Sequence, residues 1–470
     1  MSGTTSVLLS AVRDYQEVGA SWMVKTLQDR DTRAVLLCDD PGLGKSLQVL
    51  IVMHRLGVRR ACVVSPAGAR RVWHGQIARW FPKWLKHVVI VEPGSLPSTR
   101  ELDAPDVIAL VSYDQLSLRG SPWRDTLQRL AWDLLVIDEA HYLKNKSNRT
   151  AALYGLKGTD EGIQTSAERV ILLTGTPSPN HAGEMYQHLR TFWPGVLRSL
   201  EHPDRPMTEE EFVERVCEWR DDPRLGRVVT GSKNVAWLRE RMRPYYMHRS
   251  KRQVLRELPP VVEQDVPLAV SPRDVLAHLN DDDRRLHGGL MKLDEDALSW
   301  MMHQPGTPLA TLRRRLGELK VNGTAEWIME RLDCGARKLL VFGWHPRALE
   351  LLHTRLMEFR PVLVTGATSA QARARAVECF QERPDCRVFV GQIKAAGVAL
   401  TLTAASEVAI MEPSWVPGEN RQAIDRAHRM GQRDSVLATY LYLPGTLDRR
   451  ILDTMRRKQG QIRELLQESA

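Results

Sequence analysis

The sequence predicts an α/β fold of two lobes, each a mostly parallel β-sheet flanked by helices, with helical protrusions at the junction. Three observations predict it. Short apolar runs alternate with helical stretches up to about Arg190 and again from Ala336. Polar signatures follow the ends of several of those runs, where ligands bind in open parallel sheets. Between the two alternating regions the texture changes to charged, Trp- and Arg-rich segments poor in strand-like runs.

AVLLC (Ala34–Cys38) runs into DDPGLGKS, after which LQVLIVMHRLG reads as a helix. ACVVS (Ala61–Ser65), HVVIV (His87–Val91), DVIALVS (Asp106–Ser112), WDLLVIDE (Trp132–Glu139) and RVILLTG (Arg169–Gly175) complete the first set. Near-continuous apolar strands of this kind are expected where both faces of a sheet are covered. Phe192 to about Leu258 reads as helical, as does Asp274–Glu330, broken by DDDRR, HGG and HQPGTP. LPPVVEQDVPLAVSP between them reads as an extended crossover. The second set is ARKLLVFG (Ala336–Gly343), PVLVTG (Pro361–Gly366), CRVFVG (Cys386–Gly391), EVAIM (Glu407–Met411) and VLATYLYL (Val436–Leu443), closed by one amphipathic helix. The expected divisions are 1–191 for the first lobe, 192–258 for a helical protrusion and 259–335 for a linker with a second protrusion. The second lobe takes 336–445 and a bracing helix 446–470.

The 470 residues fit two or three domains, and 43% hydrophobic with 26% charged residues argues against wholesale disorder. Lys plus Arg is 66 against 57 acidic residues, a net charge of +9 spread along the chain. A polyanion partner fits that balance, which does not prove one. The six cysteines, at 38, 62, 217, 334, 379 and 386, form no CxxC pair, so buried reduced thiols are expected and structural zinc is not. Neither a leader peptide nor a membrane span is indicated.

Gly42, Gly44, Lys45 and Ser46 form PGLGKS between a strand and a helix. Glycines let backbone amides close around a β-phosphate, and the helix beginning near Lys45 points its positive end at it. Lys45 reaches the β and γ oxygens and Ser46 can hold Mg²⁺. The general pattern wants glycine at position 39, where this chain has Asp39. Asp138 and Glu139 end an apolar strand of the same lobe. Asp138 can bind Mg²⁺ through water, and Glu139 can orient or deprotonate the attacking water. Gln16 has the donor and acceptor that an adenine edge needs, with Arg13 and Tyr15 shaping the pocket. Gln422, Arg426 and Arg429 are spaced to share one face of a helical segment or turn. Arginines there could neutralise charge on a transferring γ-phosphate, and a solvated basic helix would look the same.

These residues sit in a longer ordered series. VRDYQ (12–16), DDPGLGKSLQ (39–48), VVSPAGARRVWHGQIARW (63–80), SYDQL (112–116), IDEAHYLKN (137–145) and LTGTPSPN (173–180) occupy the first lobe. LLVFGWH (339–345), VTGATSAQARARAVECF (364–380), IKAAGVALTLTAAS (393–406) and RQAIDRAHRMGQ (421–432) occupy the second. In this series the chain resembles the Swi2/Snf2-type ATPases of helicase superfamily two, nearest the short annealing-helicase-like branch. The resemblance implies two RecA-like P-loop lobes with ATP in the cleft. It makes Lys45 and Ser46 phosphate and Mg²⁺ ligands, Asp138 and Glu139 the Mg²⁺ and water-activating pair, and His141 a coupler between ATP and DNA states. Arg426 and Arg429 become arginine fingers, with Gln422 beside them. Segments containing Ser65, Arg70, Ser112, Tyr113, Gly366, Thr368, Lys394 and Thr401 match DNA-contacting edges, and MHRSKRQVLRELPP (247–260) matches an arginine-lysine segment after the first protrusion.

Typical members of that family read DEMGLGKT where this chain has DDPGLGKS. Ser46 keeps the hydroxyl; Pro41 removes an amide and fixes φ, with a bearing on turnover. The leading expectation is a DNA-stimulated ATPase that translocates on double-stranded or branched DNA and reanneals strands or remodels forks, acting as a monomer. A strand-separating DNA or RNA helicase, a non-hydrolysing DNA-binding or complex-forming protein, and the motor subunit of a defence complex stay open. The expected location is cytoplasmic and nucleoid-associated for a bacterial or phage protein, nuclear for a eukaryotic one.

Overall fold

The computed structural model describes residues 12–92, 99–118, 120–155, 162–198, 203–222, 226–294, 297–298, 301, 309–396 and 400–466. HQPGTP falls wholly outside them, as do residues 397–399 of the KAAGVALTLTAAS segment. The chain divides into two compact units, one of residues 1–217, 232–254 and 462–470, the other of 218–231 and 255–461.

The first unit is built on seven strands: β1 (Ala34–Leu37), β2 (Arg60–Ser65), β3 (Val88–Ile90), β4 (Val107–Ser112), β5 (Trp132–Asp138), β6 (Ala167–Leu173) and, after a hairpin of β7 (Cys217–Asp222) and β8 (Gly226–Ser232), β9 (Tyr246–Met247). Their order across the sheet is β3-β4-β2-β5-β6-β1-β9, and every pairing is parallel. Every residue of β1 and β4 is buried, which explains their unbroken Val/Leu/Ile/Ala runs. Helix α1 (Asp14–Gln28) packs on α2 (Lys45–Arg55), whose residues Leu47–Met53 are all buried. Helix α3 (Ala69–Trp80) buries Arg70, Trp73 and Ile77, the one-sided spacing of an amphipathic helix.

The second unit has β10 (Val261–Pro267), β11 (Leu339–Gly343), β12 (Val362–Val364), β13 (Val388–Gln392), β14 (Glu407–Ile410) and β15 (Val436–Tyr442) in the order β10-β15-β14-β11-β13-β12, again all parallel. Alternate residues of β11 enter different cores. Leu339 and Val341 join the one containing Leu312, Leu316 and Ile328 of α4 (Leu309–Asp333). Leu340 and Phe342 join the one containing Phe380, Leu452 and Met455. Helix α5 (Pro417–Ile424) and helix α6 (Leu447–Leu466) follow; α6 sends Ile451 to one core and Leu452 and Met455 to the other.

Two local expectations are corrected. The span 192–258 is not helical throughout, because β7, β8 and β9 lie in it. Val228, Val229 and Thr230 are β-branched and favour the extended chain, a local signal that the surrounding Arg and Glu obscured. LPPVVEQDVPLAVSP is more than a crossover. Its residues Val261–Pro267 pair with Val436–Tyr442 as an edge strand, where Pro267 at the end costs little. Four cysteines are buried and all six are free, but Cys334 is exposed and Cys379 half-buried.

Candidate nucleotide site and nucleic-acid edge

Strand register brings the first unit's signatures to one level. Leu37 pairs with Leu173, and Leu173 with Asp138, so PGLGKS, TGTP and DEAH all leave the same edge of three adjacent strands. That edge is the C-terminal one, as parallel sheets require of a binding site.

The phosphate loop is held in a shape only glycine takes easily. Gly42 has φ 92° and Gly44 φ 76°, and a Cβ on Gly44 would strike Nε2 of Gln16. Helix α2 starts at Lys45 directly behind Gly44, so its unpaired amides face the loop. The Lys45 ammonium donates to the carbonyls of Asp39 at 2.5 Å and Asp40 at 3.4 Å. Pro41 packs toward TGTP: a Cβ added to Gly175 would lie 3.0 Å from its Cδ and Cγ. Gln16 is 4% exposed, accepts from the Arg13 backbone N–H at 3.1 Å and donates to the Leu43 carbonyl at 3.2 Å. Tyr15 is buried beside it, whereas Arg13 is exposed.

Asp138 is fixed twice. The Trp73 indole donates to its Oδ2 at 2.8 Å, and the Tyr113 hydroxyl donates to its carbonyl at 2.7 Å. Burial, then the neighbouring Glu139 carboxylate, pushes the Asp138 carboxyl up to about 6, while Trp73 and the nearby Lys45 ammonium pull it back. Glu139 has φ 57° and ψ 51°, a left-handed backbone that a non-glycine residue adopts at a cost of about 1 kcal/mol or more. Two adjacent half-buried carboxylates at the end of β5 fit a divalent cation. Together with Ser46 they offer few protein ligands, as suits Mg²⁺, which keeps waters and phosphate oxygens.

His141 lies 3.4 Å from Oε2 of Glu139, and its Nδ1 is 3.0 Å from the Thr174 hydroxyl. Burial and then Lys144 lower its pKa to about 4, so it is neutral at pH 7. Thr174 also accepts from the Thr176 N–H at 3.0 Å. A short relay thus runs from the DEAH carboxylate to TGTP. Further along, Lys144 pairs with buried Glu184 at 2.6 Å, and Glu184 accepts from Asn180.

The residues assigned to DNA-contacting edges divide by lobe. Ser65, Arg70, Ser112 and Tyr113 are 0%, 7%, 2% and 2% exposed. The Arg70 guanidinium donates inward to the Val91 and Ala67 carbonyls and to Gln115; Ser112 caps the short helix Tyr113–Ser117; Tyr113 holds Asp138. Their side chains are engaged inside the unit. In the second unit Gly366, Lys394 and Thr401 are exposed and Thr368 is half-buried. Thr368 accepts from the Thr365 N–H at 2.9 Å, and the Lys394 ammonium lies 4.5 Å from the Trp344 ring.

Gln422 lies on α5, and Arg426 and Arg429 in the turn beyond it. Arg426 is only 4% exposed. Arg429 is half-buried, with Nε donating to the Asp425 carbonyl at 3.2 Å and Nη1 to the Thr401 hydroxyl at 3.4 Å. Sequence reasoning gave no individual role to Trp73, Thr174, Gln392 or Arg249, although three of them lie in the motif segments quoted above. Gln392 is a brace at the second edge, accepting from the Gly366 N–H at 2.9 Å and donating to the Trp344 carbonyl at 3.1 Å. A tryptophan on the apolar stripe of α3 was the available sign of the first, since a buried indole N–H needs an acceptor.

Residues 15–280 match the model of the SNF2-related domain, and residues 327–431 that of the helicase conserved C-terminal domain. The chain belongs to the SNF2-related family. It is a helicase-like ATPase of two RecA-like lobes, and its phosphate loop binds ATP. The chain is 28% identical over 440 residues to the mouse DNA annealing helicase and endonuclease ZRANB3, covering 91% of this chain and 38% of that protein. It is 29% identical over 454 residues to a Caenorhabditis elegans SWI/SNF-related matrix-associated actin-dependent regulator of chromatin subfamily A-like protein 1 homolog, covering 94% and 60%. The SNF2 core in hand therefore spans less than two thirds of these relatives. A Sulfolobus solfataricus SWI2/SNF2 ATPase core in complex with dsDNA aligns over 97% of both chains at 21% identity, with a TM-score of 0.42. Among the described residues no helix is long and apolar enough to cross a membrane.

Proposed function

We propose that this chain is a DNA-stimulated ATPase that couples Mg-ATP hydrolysis to translocation along double-stranded DNA. The observation that supports it most is the common level of PGLGKS, DEAH and TGTP on three adjacent strands within an SNF2-family chain. In this reading the loop amides and Lys45 bind the triphosphate, and Gln16 reads the adenine. Ser46 and Asp138 hold the Mg²⁺, and Glu139 takes the proton of the attacking water. Bound Mg²⁺ supplies positive charge that neutralises the phosphate oxygens. Arg429 and Arg426 stabilise transition-state charge. The His141–Thr174 relay reports the state of the DEAH carboxylates to TGTP.

Double-stranded DNA as the partner is supported by the named partner of the Sulfolobus core and by the DNA named in the mouse relative. Reannealing of strands follows from that relative's name alone. A spread basic excess suits phosphate contacts along a groove, which ignore base identity and weaken with salt. Steady-state ATPase with no nucleic acid, single-stranded, duplex and forked DNA, and RNA tests the reading. Stimulation by duplex or forked DNA above single strands is the expected result, and stimulation by RNA alone would refute it.

A further inference from the structure

Asp39, which stands where the general phosphate-loop pattern has glycine, is 0% exposed. A carboxylate so placed needs a cation, and Arg249 supplies it from a segment 210 positions later in the chain. The Arg249 Nε donates to Asp39 Oδ1 at 2.9 Å, and Nη2 donates to Asp39 Oδ2 and, at 2.8 Å, to Gln48 Oε1. Nη1 donates to the carbonyl of Tyr15. Gln48 in turn donates to Asp39 Oδ2 at 3.0 Å and to the Leu43 carbonyl at 3.4 Å, and that same carbonyl accepts from Gln16 at 3.2 Å.

These bonds close a ring: Arg249 to Gln48, Gln48 to the Leu43 carbonyl, that carbonyl to Gln16, and Tyr15 next to Gln16 back to Arg249. The ring ties the first turn of α1 to the phosphate loop at a fixed offset. Gly19 makes room for it, because a Cβ there would strike Gln48 Oε1 and lie 2.5 Å from Arg249 Nη2. The backbone around Arg249 is held independently. Cys38 N–H donates to Met247 at 2.7 Å, Asp40 N–H to the Arg249 carbonyl at 3.0 Å, and Lys251 N–H to Asp40 Oδ2 at 2.8 Å. Removing the guanidinium therefore leaves the segment in place.

We infer that Arg249 is a positioning residue for nucleotide selection, holding Gln16 and the phosphate loop at the spacing that lets adenine and triphosphate be bound together. The inference rests on the ATP-site reading above. It separates base recognition from phosphate binding, so its signature is a change in preference. Loss of the ring should weaken ATP, which uses both ends, and spare GTP, which lacks the adenine contact.

The test is equilibrium competition of ATP and of GTP against a fluorescent ATP analogue, without DNA, on wild type, Arg249→Gln, Arg249→Lys and Gly19→Ala, with thermal melting of each. ATP affinity of Arg249→Gln should fall about tenfold, the worth of one or two buried charge-assisted hydrogen bonds, with GTP changed less than about threefold. Arg249→Lys should lie between, since an ammonium can neutralise Asp39 but cannot fork to Tyr15 and Gln48. Gly19→Ala displaces the guanidinium without removing charge and should copy Arg249→Gln. Equal weakening of ATP and GTP, unchanged ATP affinity in the variants, or a wild type with no preference for ATP overturns the inference. Absence of DNA stimulation in wild type would instead overturn the translocase reading and leave this comparison standing.

Discussion

The indole N–H of Trp73, on α3, donates a 2.8 Å hydrogen bond to Oδ2 of Asp138, at the end of β5. Trp73 is 1% exposed, so the bond is made inside the first unit and water cannot replace it. It fixes the orientation of the Asp138 carboxylate at the end of β5. Trp73→Phe keeps most of the packing and removes the donor. The expected outcome is about a tenfold rise in the Mg²⁺ concentration for half-maximal ATPase, equivalent to about 1.4 kcal/mol. A Mg²⁺ titration of ATPase checks it. Since the Asp138 carboxyl titrates near 6, the Mg²⁺ requirement of wild type should also rise as pH falls below that value.

Lys45→Ala removes the ammonium that would meet the β and γ oxygens, and turnover should fall by about two orders of magnitude or more. Glu139→Gln should keep ATP binding while stopping hydrolysis, because the amide preserves shape but takes no proton. Steady-state ATPase and nucleotide binding on both variants check this pair. Wild-type rates in both would remove the assignment of the site.

Arg426→Ala and Arg429→Ala should each abolish most ATP hydrolysis while nucleotide binding persists. They should differ in stability. Arg426 is buried and its backbone carbonyl accepts from Leu402, whereas Arg429 is half-buried at the rim. Truncating the buried side chain opens a gap, and melting should fall more for Arg426→Ala than for Arg429→Ala. Paired melting and ATPase assays separate the two effects.

Acid should destabilise the first unit. His141 and His188 are both held near 4, in each case chiefly by burial, against the usual 6.5. Groups depressed in the folded state give stability that is whole above pH 6.5 and is lost as pH falls toward 4. Asp138 works the other way, raised to about 6, so its protonation favours the folded state between about 6 and 3.8. Two histidines outweigh one carboxyl, for a net loss on the order of a few kcal/mol by pH 4. Thermal unfolding from pH 8 to pH 4 measures it, and His188→Gln should flatten the curve.

Much of this was legible because strand ends carry the chemistry. The apolar runs from Ala34–Cys38 to Val436–Leu443 predict eleven strands; each overlaps a strand found, and β2, β6 and β13 reach one or two residues beyond their runs. PGLGKS and DEAH announce themselves by residue type and by following such runs. The β7–β8 pair was hidden because β7 is largely charged, CEWRDD, and pairing, not apolar periodicity, makes it a strand. Arg249 was hidden because its partner Asp39 lies far away in sequence, and only the fold closes that distance. Side-chain placement at Arg70 and Tyr113 was likewise not legible. Their segments match a DNA-contacting edge by resemblance, but burial is a tertiary property, and both side chains turn inward.

Triplex displacement measured beside fluorescent duplex unwinding tests the central claim most directly. A protein that translocates on double-stranded DNA displaces a third strand in an ATP-dependent way without separating the duplex beneath it. The account predicts robust triplex displacement, lost in Glu139→Gln, with no unwinding of a blunt or tailed duplex. Robust unwinding with no triplex displacement would contradict it.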